Sequence, residues 1–246
     1  MSTVMRKFRE GCDRLSQTLG LDGNMVAVTF TDEVPPHLQS ADPVVACQAI
    51  QDARYGKTVV LNKENSKCLG ASYFLGFDPF SPLAYDYWVE NEQSLYDKYA
   101  ATTMVHMLPR PCLNRARFIV LSPATEVPDS PDLVLAICNA EQTSRLLGLH
   151  IFKTGVPAKT YSYGATCQSA IGVPIATMEL NVSFIDLPSR QIAEFEPSEQ
   201  IVTIPFSQMQ NVFDSIDGCI NGTAEPKFNR KGRVFLRGDW KKPSGN

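Results

Sequence analysis

The spacing of hydrophobic residues changes between helical and strand periods along the chain. Residues 4–20 carry apolar side chains at helical spacing and end at Gly20, which predicts an amphipathic first helix with a glycine stop. The run Met25–Phe30 is short, apolar and β-branched, which predicts a buried strand. The same reasoning predicts strands at Lys57–Leu61, Ala116–Leu121, Leu133–Ile137, Thr177–Phe184 and Ile201–Ile204. It predicts helices from Pro43 to Gly56, before Gly76, at Tyr96–Leu108, at Ala140–Leu149 and at Ser207–Ile216.

This succession of helices and strands predicts an α/β (or α+β) fold with mixed sheets and flanking helices. A chain of 246 residues can bury a large core without disulfides or metals. We expect one domain over 1–246, with two related lobes at 21–112 and 113–222 and a basic tail at 223–246.

A weak internal repeat supports the two lobes. The order strand, loop, Cys-Gln, helix, glycine, strand occurs twice, once around Cys47 and once around Cys167. Such self-similarity indicates an internal pseudo-duplication. Pseudo-twofold packing would bring the two Cys-Gln turns close together.

The charge pattern narrows the classes of partner. The formal net charge is -3 with a pI near 5.7, and basic residues are interleaved with acidic ones, which disfavours nucleic acid and anionic membranes. No signal peptide or membrane-spanning run is evident, so we expect a cytoplasmic protein. A small-molecule substrate or a redox partner protein is the expected partner, and a homo-oligomer is compatible with the sequence. Seven scattered cysteines, an odd number, indicate reduced thiols rather than a disulfide framework.

Four of the seven cysteines carry no chemical signal. Cys138 ends a predicted strand and Cys219 follows the last predicted helix, so both are expected to be small core residues. Cys12, on the first helix, is expected to be structural or exposed and idle. Cys112, between two ordinary neighbours, gives no clear indication.

Cys47, Cys68 and Cys167 differ because each lies where a loop meets a helix. Backbone N–H groups and the helix dipole favour a thiolate at such positions. Three thiolates from separate loops can hold an iron–sulfur cluster with one open iron, or a zinc ion with one open site, although their spacing matches no established motif. Two other interpretations stay open. Cys167 or Cys47 could be a metal-free nucleophile, or a small ligand could bind in the proline- and tyrosine-rich stretch 77–88.

Apart from the cysteines, the sequence offers few residues or motifs typical of catalytic or ligand-binding sites. The three histidines do not pair with carboxylates at ligand spacing, and no nucleophile elbow, Walker loop or dinucleotide fingerprint is present. Arg54, Lys57 and Lys67 place cations near two of the cysteines. These cations could bind an anionic substrate or a cofactor phosphate, or they could be solvated.

Five segments carry a resemblance to a known family: ACQAIQDARYGKTVVLNKENSKCLGASYFLGF, LPRP at 108–111, SPDLVLAICNAEQTSRLL, GATCQSA and IVTIPFSQMQNVF. In these segments the chain resembles the DUF169 (ArCR-type) proteins of anaerobic bacteria and archaea. The resemblance extends from about Leu21 to Ile216, and the three cysteine segments are its most specific part. The anaerobic distribution of the family implies an oxygen-sensitive redox centre.

One departure from the family pattern concerns a fourth cysteine. Many members of the family carry a cysteine-rich stretch that ends in arginine, where this chain has Ser189-Arg190 and no cysteine. The resemblance then implies that a cluster site here leaves one iron open, recruits another group such as Cys112, or has lost the cluster. We therefore expect a [4Fe-4S] cluster bound by Cys47, Cys68 and Cys167, in anaerobic redox or lyase-type chemistry. An oxidoreductase and a lyase both stay open as the enzyme class, and Cys167 and Cys47 are the candidate catalytic residues.

Overall fold

The strands of the chain form a single sheet in the computed structural model, which describes residues 2–39, 42–162 and 165–223. The six strands are β1 (Val26–Thr31), β2 (Val59–Asn62), β3 (Phe118–Pro123), β4 (Leu133–Cys138), β5 (Asn181–Phe184) and β6 (Gln200–Pro205). Their order is β2-β3-β1-β4-β6-β5, and neighbouring strands are antiparallel throughout. The predicted mixed sheet is therefore antiparallel, whereas the mixed α/β class is confirmed.

Helices cover both faces of this sheet. They are α1 (Thr3–Leu19), α2 (Ala46–Arg54), α3 (Leu69–Phe74), α4 (Leu83–Asp86), α5 (Lys98–Met107), α6 (Ala140–Ile151), α7 (Val173–Thr177), α8 (Leu187–Ala193), α9 (Phe206–Ser215) and α10 (Ile220–Thr223). Two π-helical segments, Tyr87–Asn91 and Gln168–Gly172, continue α4 and lead into α7 respectively, and a short 3₁₀ turn spans Pro36–Leu38. Within the described ranges, no helix combines the length and apolar character needed to cross a bilayer.

Alternate residues along the central strands pack into two separate cores. In β4, Leu133, Leu135 and Ile137 face one core, while Val134 and Ala136 face the other. The first core is covered by α2, the second π-helical segment, α7 and α8, and the second core by α1, α6 and α9. Both faces of β4 are apolar because both faces are covered, which explains its uninterrupted apolar sequence.

Most predicted elements lie within a few residues of their observed bounds, but one strand begins later than predicted. Thr177 ends α7 rather than beginning a strand, and Met178 adopts a left-handed conformation with φ 54° that closes the helix. β5 therefore starts at Asn181. The β-branched and apolar residues before Asn181 fitted a strand pattern, whereas Pro174 in the first turn of α7 marked a helix start.

The two halves of the sheet repeat one relative strand order. Read inward from each edge, the second, third and first strand of each half follow one another, as β2-β3-β1 and as β5-β6-β4. Cys47 lies between β1 and β2 along the chain, and Cys167 lies between β4 and β5. The described structure does not by itself demonstrate the pseudo-duplication, so this stays a prediction, as do the lobes 21–112 and 113–222. From residue 224 onward the predicted basic tail lies outside the described residues.

Candidate three-cysteine site

A cavity of about 340 Å³ lies beside the first core, and Cys47, Cys68 and Cys167 all line it. The three cysteines come from the starts of three different helices, so residues far apart in sequence meet in one place. The remaining wall comes from the start of α8 and from the aromatic segment around Trp88. The three candidates singled out by sequence are thus brought to one cavity.

Cys47 is the second residue of α2 and is buried, with 9% of its surface exposed. The segment before α2 is joined to the segment before Cys68 by a parallel bridge between Val44 and Ser66. The Lys67 N–H donates to the Val44 carbonyl at 3.2 Å within this bridge. The bridge therefore holds the Cys47 and Cys68 helix starts side by side.

Cys68 is the N-cap residue of α3, and its Sγ accepts a hydrogen bond from the Ala71 N–H at 3.5 Å. The Cys68 residue is exposed, unlike Cys47. A sulfur that already accepts a main-chain N–H at a helix start is held in one orientation, facing the cavity that it lines. The sequence context of Cys68, a polar loop followed by a short helix, predicted this position.

Cys167 lies in the helical turn before the π-helical segment Gln168–Gly172 and is half-buried. This segment approaches α3 closely at Gly172, where an added Cβ would lie 2.8 Å from the Phe74 carbonyl oxygen. Any larger residue at Gly172 would push the two elements apart. The close contact keeps Cys167 on the same side of the cavity as the helix that begins at Cys68.

Asp186 links the helix of Cys167 to α8. Its Oδ2 accepts hydrogen bonds from the Thr166 N–H at 2.6 Å and the Thr166 hydroxyl at 2.5 Å, and from the Ser189 hydroxyl at 3.0 Å. Its Oδ1 accepts the Ser189 N–H at 2.8 Å, as the N-cap of α8. One carboxylate thus orders the backbone beside Cys167 and the buried hydroxyl that approaches Cys47.

Burial sets the protonation of two of the thiols. Desolvation raises the pKa of Cys47 above its usual range, and the Asp186 charge raises it further, against a lowering by the hydrogen bond from Ser189. Desolvation also raises the pKa of Cys167 well above its usual range, and the charges of Cys68 and Asp186 add to the rise. The sequence-based expectation that a helix start lowers these pKa values is wrong for Cys47 and Cys167, because burial outweighs the hydrogen bonds that lower them, including those from backbone N–H groups.

A second carboxyl group, Glu92, completes the polar part of the wall. Desolvation raises its pKa to about 7, with a further rise from the Asp186 charge. Tyr87 and Trp88 lie on the same wall, and Trp88 stacks on Phe74 with ring centroids 5.9 Å apart. The stretch 77–88, predicted as a separate ligand-binding region, therefore contributes to the same cavity as the cysteines.

The other cysteines lie elsewhere. Cys12, Cys138 and Cys219 are buried in the second core, as predicted for structural residues, and burial raises the pKa of Cys138 to about 12. Cys112 is exposed and is not among the residues that line the cavity. The predicted role of Cys112 as a substitute ligand thus has no geometric support in the described residues.

Sequence reasoning missed Asp186 and Glu92. Asp186 stands two residues before Pro188, and this pair is a helix-start signal in the first turn of α8. That signal identifies a cap but not a cavity residue, because the cavity depends on the packing of α8 against α2. Glu92 follows a π-helical segment, for which no sequence pattern was available.

The described residues contain no group of three or more His, Cys, Asp and Glu side chains arranged to hold a single metal ion. Comparisons with curated proteins and with solved structures found no match. The family model described as DUF169, uncharacterised ArCR, matches residues 14–215. This match covers most of the chain and includes all three cysteine segments, so the chain belongs to the DUF169 family.

Proposed function

We propose that the cavity binds an iron–sulfur cluster, a [4Fe-4S] cluster in the first instance, through Cys47, Cys68 and Cys167. The observation that carries this proposal is that three thiols from three separate helix starts line one cavity of about 340 Å³. The cluster would supply electron transfer or a Lewis-acidic iron for anaerobic redox or lyase-type chemistry. The protein would act as an oxidoreductase or a lyase in the cytoplasm.

A cluster needs a more widely spaced set of thiolates than a single ion does. Each thiolate of a cluster binds a different iron, so the sulfur atoms stand farther apart than the ligands of one zinc ion, which share a single tetrahedron. The absence of a single-ion geometry among the described side chains is compatible with this arrangement. Thiols are the ligands that iron–sulfur clusters use, and the cavity offers three of them.

Ser189 is the candidate residue for the fourth ligand position of such a cluster. Ser189 is 7% exposed, lines the cavity and lies within hydrogen-bonding distance of Cys47. A hydroxyl is a weaker ligand for iron than a thiolate, so Ser189 would leave the fourth ligand position of a cluster accessible to substrate. The family pattern places a cysteine-rich stretch in this region, which makes Ser189 the natural position for testing the open iron.

The metal-free nucleophile is the weaker alternative. A nucleophilic cysteine requires a lowered thiol pKa, whereas burial raises the pKa of both Cys47 and Cys167. A metal or cluster offsets this cost because it displaces the thiol protons on binding. Raised pKa values thus favour a liganding role over a nucleophilic one.

The test is anaerobic purification and reconstitution with iron and sulfide, followed by iron and sulfide analysis and an absorption spectrum in the charge-transfer region. We expect four irons and four sulfides per chain at full occupancy. The variants Cys47→Ser, Cys68→Ser and Cys167→Ser should each lose most of this iron. The matched control Cys112→Ser removes an exposed thiol outside the cavity and should keep it.

The variant Ser189→Cys extends this test to the open position. A fourth thiolate should slow the loss of iron to a chelator, because every iron would then have a protein ligand. A colourless wild-type protein without iron after reconstitution contradicts the proposal. In that case, thiol alkylation at pH values well below the usual cysteine range would support the nucleophile instead.

A further inference from the structure

The cavity carries more negative than positive charge. Asp186 and Glu92 are its acidic groups, and Lys67 is the one cationic side chain among the described residues that line it. The Lys67 Nζ donates to the Glu64 carbonyl oxygen at 2.7 Å, so this ammonium group is held by the backbone of its own turn. The alternative that Arg54, Lys57 and Lys67 together bind an anion gains no support, because Arg54 and Lys57 pair with carboxylates and do not line the cavity.

The two cavity carboxyl groups have no cation of their own. Within the described ranges neither Asp186 nor Glu92 forms an ion pair, and hydrogen-bond donors from Thr166 and Ser189 satisfy Asp186 instead. The raised pKa of Glu92 has burial and the unneutralised Asp186 charge as its causes, which is the effect that a bound cation would reverse.

The rest of the cavity wall is apolar and aromatic. It is formed by small and branched side chains, such as Val45, Ala84 and Ile192, together with the rings of Tyr87 and Trp88. Aromatic faces attract cations as well as apolar groups. A ligand that fills this space would bury an apolar body against the wall and place its polar end at the two carboxyl groups.

We infer that the ligand of this cavity is a small amine with an apolar or aromatic body, whose ammonium group pairs with Glu92 beside Asp186. The inference names the substrate class of the proposed site, and it rests on the proposed function only in placing that amine next to the open iron. Three cysteine thiolates around a cluster would add negative charge and would favour the same class of ligand. An anionic substrate such as a carboxylate or a phosphate is disfavoured by every charge in the cavity except that of Lys67.

The test compares benzylammonium, benzyl alcohol and benzoate, which share an aromatic body and differ in charge. Binding to the full chain is measured at pH 8 by nuclear magnetic resonance titration, with cluster-free and reconstituted protein in parallel. We expect benzylammonium to bind at least about tenfold more tightly than benzyl alcohol, and benzoate to bind most weakly. The variant Glu92→Gln should reduce benzylammonium binding about tenfold and leave benzyl alcohol binding unchanged.

Glu90→Gln is the matched control, since Glu90 is exposed on the same segment and does not line the cavity. This control should bind benzylammonium like the wild type. Equal affinity for the ammonium and the alcohol, or a Glu92→Gln variant that behaves like the control, would overturn the inference even if the cluster assembles. Selective amine binding to a protein that takes up no iron would support the inference while contradicting the proposed cluster.

Discussion

Replacing Asp186 by Asn is the sharpest perturbation of the site, because a single carboxylate there accepts four hydrogen bonds. Three of these reach Oδ2, and the fourth reaches Oδ1. An amide has one accepting oxygen, and its nitrogen donates. Whichever way the Asn side chain turns, either the Thr166 N–H or the Ser189 N–H faces a donor instead of an acceptor.

The loss of stability in Asp186→Asn follows from the burial of the groups that Asp186 binds. Thr166 is 1% exposed and Ser189 is 7% exposed, so water cannot replace the lost acceptor. An unsatisfied buried N–H costs about 1–3 kcal/mol, and the remaining bonds lose their charge assistance. We therefore expect Asp186→Asn to lower the free energy of unfolding by about 2–4 kcal/mol. Burial is the main cause of the raised pKa of Cys47 and Cys167, and the same change removes the Asp186 charge that adds to this rise.

Urea unfolding at pH 7 measures the first effect, and the pH dependence of thiol alkylation in the metal-free protein measures the second. Asp97→Asn is the matched control, because Asp97 caps the exposed start of α5 through one bond to the Ala100 N–H, and Asn caps helices equally well. This control should change stability by less than about 0.5 kcal/mol. An Asp186→Asn protein as stable as the control, with alkylation at unchanged pH, would refute the bridging role of Asp186.

Two further predictions concern charge. Because the folded-state pKa of Glu92 is raised from 4.5 to about 7, its contribution to stability is fully present below pH 4.5 and is lost as pH rises through 7. The free energy of unfolding of Glu92→Gln, relative to that of the wild type, should therefore be about 1–2 kcal/mol higher at pH 8 than at pH 5 after allowance for solvent screening. Denaturant titrations of both proteins at the two pH values measure this difference. Arg54→Leu should cost about 3–5 kcal/mol in urea unfolding, because the largely buried Glu199 carboxylate, 2.6 Å from the guanidinium, would lose its cation and keep the Glu196 N–H as a donor. A double variant with Glu199→Leu should recover much of this loss, and no recovery would contradict the ion-pair explanation.

The fold was predictable where local pattern and tertiary environment agree. The first helix, with apolar side chains at helical spacing and a left-handed Gly20 at its end, forms as expected. The sheet was harder, because strand order depends on contacts between distant segments. β3 inserts between β1 and β2, so that Val120 lies beside both Thr29 and Val60, and hydrophobic spacing within a strand cannot indicate such an arrangement.

The sequence identified the three cysteines of the site, but neither the burial of their thiols nor the carboxyl groups beside them. Loop-to-helix positions distinguished Cys47, Cys68 and Cys167 from the core cysteines, and the structure brings these three to one cavity. The direction of the thiol pKa shifts was wrong, because a helix start is visible in sequence whereas the burial of its first turn is not. Asp186 and Glu92 were missed for the same reason, since carboxyl groups are common and acquire their roles only through packing.

The sheet topology places the cysteines, whereas the inferred amine ligand depends on the carboxyl groups. β1 and β4 are neighbours at the centre of the sheet, and the helical segments that follow Cys47 and Cys167 pack against the same face through Ala49 and Ala170. Because both segments pack on this one face, Cys47 and Cys167 line the same cavity. Asp186 also stabilises the fold, because it caps α8 and accepts the Thr166 N–H, so Glu92 is the carboxyl group that the amine-binding test addresses. Within the described ranges Glu92 forms no ion pair, and the amine-binding test of this carboxyl group is independent of the iron analysis.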